Sequence, residues 1–303
     1  YLFLIKYSKL DKLFIFLFVL YLPTTKLELF SKYNISKLNQ YFKKKLPEVI
    51  FSSGSHVENE ESIHLLAEAS IMSKKINIIQ HGNYYNLISR AYHSGIEGEY
   101  LYDYLYTWGW KNNSSDIICS SPRLYNTYYK VIKKNILNAN NRILFVLAQI
   151  KEYDFIRSFH YLPKLNTSNN ILRKKLFENL PSKFKSIFYF RMYPYPNYDG
   201  VKNEKKLEKE FKNIQFDTSD KYNSIANSSI FIFDHLSTFL LEIINLDKPF
   251  LLYFDYDNYN LSNNAKKLFD KLYKNKILHK NSETLIKFLQ SERINKFNSY
   301  YFN

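Results

Sequence analysis

A chain of 303 residues with 46% hydrophobic and 23% charged residues has enough apolar material for two α/β domains of about 100–200 residues each, which excludes disordered and fibrous classes. The net charge of +15 raises the question of nucleic acid, but 36 of the 43 basic residues are Lys and 7 are Arg. Arg is the side chain that reads phosphates and base edges bidentately, so the balance points to a solvated Lys surface, with attraction to an anionic membrane face or an anionic nucleotide as the alternative.

The first residue is Tyr rather than Met, so the expectation is a chain that begins inside a longer protein. Cys119 stands alone, which rules out an intramolecular disulfide framework and cysteine-based zinc sites, and fits a reducing cytosol. The most apolar run, Leu13 to Leu22, is about half as long as a membrane-spanning helix requires. It lacks the small-residue cleavage site of a signal peptide and reads as a buried element. The expected location is cytoplasmic, with peripheral contact at the anionic inner membrane face.

From the N-terminus, apolar spacing predicts a helix over Leu27–Lys45, ended by Pro47. Val49-Ile-Phe-Ser-Ser53 reads as a strand, Glu60–Lys74 as an amphipathic helix, and Ile76–Gln80 as a strand that stops at His81-Gly82. Strand, helix, strand is the βαβ unit of parallel sheets. Asp116–Cys119 reads as a further strand, closed by the turn sequence Ser120-Ser-Pro122. Lys134–Asn141 has linker composition, and the expected domains are 1–140 and 141–303.

The pattern then restarts. Arg142–Leu147, Ser186–Phe190, Ile230–Phe233 and Phe250–Phe254 read as short buried strands, with a helix over Asn170–Asn179 and another running through Ile244. The expected fold is α/β, two Rossmann-like domains with parallel sheets, the second carrying C-terminal helices.

In open parallel sheets ligands bind beyond the carboxyl ends of strands, where helix N-termini present free N–H groups. Three such places carry polar clusters: Gln80-His81-Gly82, Arg191-Met-Tyr193, and Asp234-His-Leu-Ser-Thr238 with Glu242. Ser237 and Thr238 stand at a helix start, suited to a phosphate, and Glu242 lies one turn on, suited to ribose hydroxyls. The structural alternative is that Ser237 or Thr238 is simply an N-cap and Glu242 a surface residue. His81 offers a titratable group beside a glycine that permits close approach. Arg191 suits a diphosphate or a carboxylate, or an ion pair between domains. Trp108 and Trp110 read as packing. His93, Glu97, Glu99 and Asp103 are too loosely spaced for a metal site, and Walker, Gly-x-Gly-x-x-Gly and Gly-x-Ser-x-Gly motifs are absent.

Taken together, Gln80-His-Gly82, Asp103 leading into Tyr106-Thr-Trp-Gly-Trp110, Arg191-x-Tyr193, Asp234–Thr238, Glu242 and Lys248-Pro249 resemble a family of bacterial surface-carbohydrate transferases of capsule and O-antigen type, related to Kdo transferases. The C-terminal half is more distantly similar to the CDP-glycerol glycerophosphotransferases of teichoic acid synthesis. The resemblance implies a GT-B architecture with two domains facing a central cleft, and metal-independent glycosyl transfer from a nucleotide sugar, CMP-Kdo as candidate, to a lipopolysaccharide, capsule or lipid-linked glycan. No separate cofactor and no nucleic acid partner is implied. It assigns Gly82, Arg191, Tyr193, His235, Ser237, Thr238 and Glu242 to the donor, and leaves His81, Glu99 and Asp234 as candidates for general base or nucleophile. The chain departs from the family at Asn83-Tyr-Tyr-Asn86, where a Gly-rich stretch is usual, and at Glu97-x-Glu99, where a His-Glu pair is usual. Polyol-phosphate transfer and a non-catalytic glycan-binding module are the alternative functions.

Overall fold

The computed structural model describes residues 47–53, 60–82, 85, 87, 102–133, 142–148, 163–192, 209–211, 215–259 and 261–291. The helix expected over Leu27–Lys45, the apolar run Leu13–Leu22 and the linker Lys134–Asn141 lie outside them. The described residues fall into two compact units, divided after Ile78, with Asp103 in the first and Tyr104 onward in the second.

The first unit contains β1 (Val49–Ser52), α1 (Glu60–Ile71) and β2 (Lys75–Ile79) as far as Ile78. β1 and β2 pair in parallel, Ile50 opposite Ile76, as the βαβ reading expects. Asp103 binds Ile76 twice: its N–H donates to the Ile76 carbonyl and its carboxylate accepts from the Ile76 N–H, both at 2.7 Å.

The second unit begins with β3 (Tyr104–Thr107) and β4 (Asp116–Ile118), again parallel, then α2 (Pro122–Lys133). α2 corrects the expectation of a turn at Ser120-Ser-Pro122. Pro122 is the first helical residue, where its missing N–H costs nothing, and the Ser121 hydroxyl accepts from the Leu124 N–H at 3.2 Å. A Ser-Pro pair is as good a helix start as a turn, and the tyrosines that follow hid the helical period. Cys119 is half-buried, and burial pushes its thiol pKa up.

The remaining elements are β5 (Arg142–Val146), α3 (Pro163–Asn179), α4 (Ser182–Lys185), β6 (Phe188–Arg191), β7 (Gln215–Phe216), α5 (Lys221–Asn227), β8 (Ser228–Phe233), α6 (Thr238–Asn245), β9 (Phe250–Tyr253), α7 (Asn263–Lys274), β10 (Leu278–His279) and α8 (Ser282–Gln290). The six strands form one parallel sheet in the order β10-β9-β8-β5-β6-β7. β5 explains why its strands read as unbroken apolar runs. Ile143, Phe145 and Leu147 enter one core with α3 and α8, while Leu144 and Val146 enter a second core on the other face. Phe145, Phe188 and Phe190 meet in tilted and edge-on pairs in the first core, geometry favoured by the ring quadrupole. α2 and α6 cover the second face, with Val131, Leu240 and Ile243 in its core. The α/β class with parallel sheets is as the sequence predicts. None of the described helices is long and apolar enough to cross a membrane.

Candidate functional site

β5 and β8 run parallel, and their carboxyl ends bring Ala148 and Asp234 together. Asp234 is 1% exposed. Its carboxylate accepts from the Ala148 N–H at 2.7 Å and from His235 Nδ1 at 2.9 Å, and it pairs with the buried guanidinium of Arg173. Asn169 donates to the Asp234 carbonyl at 3.0 Å, and Arg173 also donates to the Ala148 carbonyl at 3.1 Å. Burial opposes the charge of Asp234, but Arg173, His235 and the Ala148 N–H outweigh it and hold the carboxyl below its usual range. An ionised Asp234 makes Nδ1 the protonated nitrogen of His235. These bonds tie the carboxylate to Ala148, Arg173 and His235 and hold the turn into α6. Arg173 and Asn169 carry that work on α3, whose start lies ahead of the helix expected over Asn170–Asn179.

The turn delivers the chain to α6, which starts at Thr238. Ser237 is its N-cap, with the hydroxyl accepting from the Leu240 N–H at 3.3 Å, so the structural alternative for Ser237 is realised. Capping occupies one donor and leaves the remaining N–H groups of the first turn, and the dipole behind them, as an anion-attracting end.

The loop after β2 meets this helix end. A Cβ on Gly82 would lie 3.4 Å from Thr238 Oγ1, so the bare glycine backbone lies against the threonine side chain. Gln80 sets that loop in place. Its side-chain amide donates to the Gly82 carbonyl at 2.7 Å, while its oxygen accepts from the Trp108 N–H at 2.8 Å and the Trp110 indole at 2.9 Å. The tryptophan pair is therefore a support for the Gln80–Gly82 turn, consistent with packing. His81, next in the loop, is half-buried and shares a 3.1 Å hydrogen bond between Nδ1 and the Tyr85 hydroxyl, with the rings edge-on.

Glu242 is not the surface residue of its structural alternative. The side chain has no exposed surface, and Arg123 Nε lies 2.9 Å from Oε1 while Lys221 Nζ lies 2.8 Å from Oε2. The Lys221 contact is an ion pair without the alignment of a hydrogen bond; Lys221 also donates to Thr127 at 3.2 Å. The carboxylate thus faces Arg123 and Lys221. Arg123 and Lys221 escaped the sequence reading because nothing local marks them: they lie on α2 and α5, and only packing of those helices against one another and of α2 against α6 brings them to Glu242.

Arg191, expected at the donor, is turned inward. One guanidinium nitrogen donates to Asp217 at 2.9 Å, the Ser219 carbonyl at 2.9 Å and the Ser224 hydroxyl at 2.8 Å. Arg142 lies over the Tyr189 ring and pairs with the same carboxylate at 2.8 Å. Burial pushes Asp217 up, but Ser224, Arg142 and Ser219 outweigh it and leave its pKa below normal. The pairing is thus an ion pair within the second unit. Lys248 of the Lys-Pro motif donates to the Ile225 carbonyl at 2.8 Å, closing the end of α5. Asp255-Tyr-Asp257, an Asp-x-Asp sequence, is a turn cap: Lys280 sits between the carboxylates and Asp255 accepts from the Asn258 amide. Glu99 and Tyr193 lie outside the described residues.

A parallel sheet with a glycine loop against a capped helix start places helix N–H groups beyond the carboxyl ends of the strands. The chain belongs to the LIC12162 family of transferases, whose profile matches residues 4–292. Among curated proteins no sequence matches it. Solved structures similar to it include the UDP-GlcNAc 2-epimerase of Neisseria meningitidis bound to UDP-GlcNAc, at 13% identity, TM-score 0.47, covering 88% of this chain and 74% of that one. The MurG of Acinetobacter baumannii is 11% identical, with TM-score 0.44 and coverage of 86% and 70%. The wall teichoic acid polymerase TagF (H548A form) is 14% identical, with TM-score 0.36; the match covers 76% of this chain and spans only 61% of TagF.

Proposed function

We propose that this transferase is a glycosyltransferase of GT-B type. It moves a sugar from a nucleotide-activated donor, with CMP-Kdo as candidate, onto a bacterial surface polysaccharide or lipid-linked glycan at the inner membrane face. The observation that carries the reading is the meeting of Gly82 with Thr238 at the N-terminus of α6. That junction offers a phosphate the N–H groups of a helix start, a hydroxyl and a backbone free of side chain. The motif set shared with Kdo transferases supports the choice of donor.

In this reading the bond between the anomeric carbon and the nucleotide phosphate breaks, and its electron pair leaves on the phosphate. The end of α6 stabilises that charge, so the interaction strengthens as the bond lengthens. An acceptor hydroxyl oxygen forms the new bond to the anomeric carbon and gives its proton to His81, whose ring is held by Tyr85. Asp234 is a positioning residue, because its carboxylate is enclosed by Ala148, Arg173 and His235. The nucleotide-sugar supplies the leaving group, and no separate cofactor enters the step.

Incubation with CMP-Kdo and with CDP-glycerol, each with acceptor glycans, tests this. Transfer of Kdo with release of CMP, lost in Thr238→Ala, is the expected result. Turnover of CDP-glycerol alone overturns the Kdo reading in favour of polyol-phosphate transfer. Absence of any melting shift with CMP, CDP, UDP and GDP overturns the nucleotide-dependent reading and favours a glycan-binding module.

A further inference from the structure

Glu242 carries one negative charge and is enclosed by two cations. A buried carboxylate is balanced by one of them, so the Arg123–Glu242–Lys221 cluster retains one positive charge. Arg123 spends only its Nε on Oε1 at 2.9 Å. Its side chain is 53% exposed, and its two terminal nitrogens make no hydrogen bond among the described residues. Lys221, by contrast, is 28% exposed and also bonded to Thr127. The carboxylate therefore holds a guanidinium by one edge and leaves the fork of the other edge open. Thr238 and Glu242 are four residues apart on one face of α6, so the cluster stands about 6 Å along the axis from the helix start. A fork of this kind binds an oxyanion by two parallel hydrogen bonds, which an ammonium cannot do.

We propose that Arg123 is a specificity residue for the donor. Its open fork takes a second oxyanion beyond the phosphate held at the start of α6, and Glu242 is the positioning residue that aims it. This rests on the reading of α6 as the nucleotide site. The second oxyanion is a carboxylate of an acidic sugar or the second phosphate of a nucleoside diphosphate; both offer the same pair of oxygens.

Calorimetric binding of cytidine, CMP, CDP, UDP, GDP and CMP-Kdo to the wild type, Arg123→Gln and Arg123→Lys decides it. Arg123 is half exposed, so Arg123→Gln should fold, and its melting temperature checks this. For Arg123→Gln the expected result is about tenfold weaker binding of a ligand with the second oxyanion, with CMP and cytidine unchanged. Loss confined to the diphosphates identifies a phosphate; loss confined to CMP-Kdo identifies the sugar carboxylate. Arg123→Lys should recover less than half of the lost binding energy, because it restores charge without the fork. Wild-type affinity for every ligand in Arg123→Gln, or equal losses for CMP and CMP-Kdo, overturns the inference alone. Binding of none of the ligands by the wild type overturns the nucleotide reading beneath it.

Discussion

Gly82 lies so close to Thr238 that a Cβ atom on the glycine would sit 3.4 Å from the threonine hydroxyl. That distance is ordinary van der Waals contact, so one methyl group fits, while the atoms of a longer side chain must pass the threonine. Gly82→Ala should leave nucleotide affinity within about twofold, while Gly82→Leu should lower it more than about tenfold by displacing the loop from α6. Equal affinity in the two variants, measured by calorimetry, would show that the junction is not part of the binding site.

Ser237 and Thr238 are neighbours with separable duties. Ser237→Ala removes the N-cap hydrogen bond of α6 and should cost about 1 kcal/mol of stability, read as a lower urea midpoint. Thr238→Ala removes no cap, so its midpoint should stay within about 0.5 kcal/mol of wild type while transfer falls. A matching loss of stability in both would assign Thr238 to the helix rather than to the donor.

Breaking the Asp234–Arg173 pair should be among the most damaging single changes. Arg173 is 2% exposed, and Asp234→Asn leaves its charge without a balancing carboxylate. The expected loss is about 3–5 kcal/mol in urea unfolding, and Arg173→Met should cost a similar amount. A double variant nearly as stable as either single one would confirm that the cost lies in the stranded charge.

His279 should shape the acid limb of stability. Burial pushes its pKa down to about 4, whereas the unfolded ring titrates near 6.5. Above about pH 6.5 both states are neutral and His279 contributes nothing. As pH falls from there towards 4 the unfolded chain takes up a proton that the folded chain refuses, so stability falls, by roughly 3 kcal/mol in total. His279→Leu should flatten the profile of unfolding free energy across that window, whatever its effect on absolute stability. Asp234 and Asp217 act lower: their depressed pKa values give stability that is present above about pH 4 and lost as pH falls further. An unchanged slope between pH 6.5 and 4 in His279→Leu would remove His279 as the cause.

Much of the sheet was legible because a strand buried on both faces leaves a short unbroken apolar run. Arg142–Val146 and Phe250–Tyr253 came through within a residue of their bounds. β7 and β10, two residues each, are too short to carry a period, and α2 was hidden by exposed tyrosines at 125, 128 and 129. In the candidate site the glycine loop and the helix start were visible, since glycine, serine and threonine at strand ends have local reasons to be there. The partners of Glu242, Asp234 and Arg191 were not, because an ion pair across 119 residues, such as Arg123 with Glu242, has no local signature.

The sequence by itself therefore determined the alternation of parallel strands and helices and the strand-end motifs, for those follow from backbone geometry and hydrophobic period. Tertiary structure alone decided what each polar group does there. Packing of α2 and α5 enclosed Glu242, and the turn after β5 together with α3 claimed Asp234. The packing also laid Gly82 against Thr238 at the first turn of α6. The physical reason is that burial of a charge is tolerable only beside its partners, and which partners arrive is settled by how helices distant in sequence pack on the sheet.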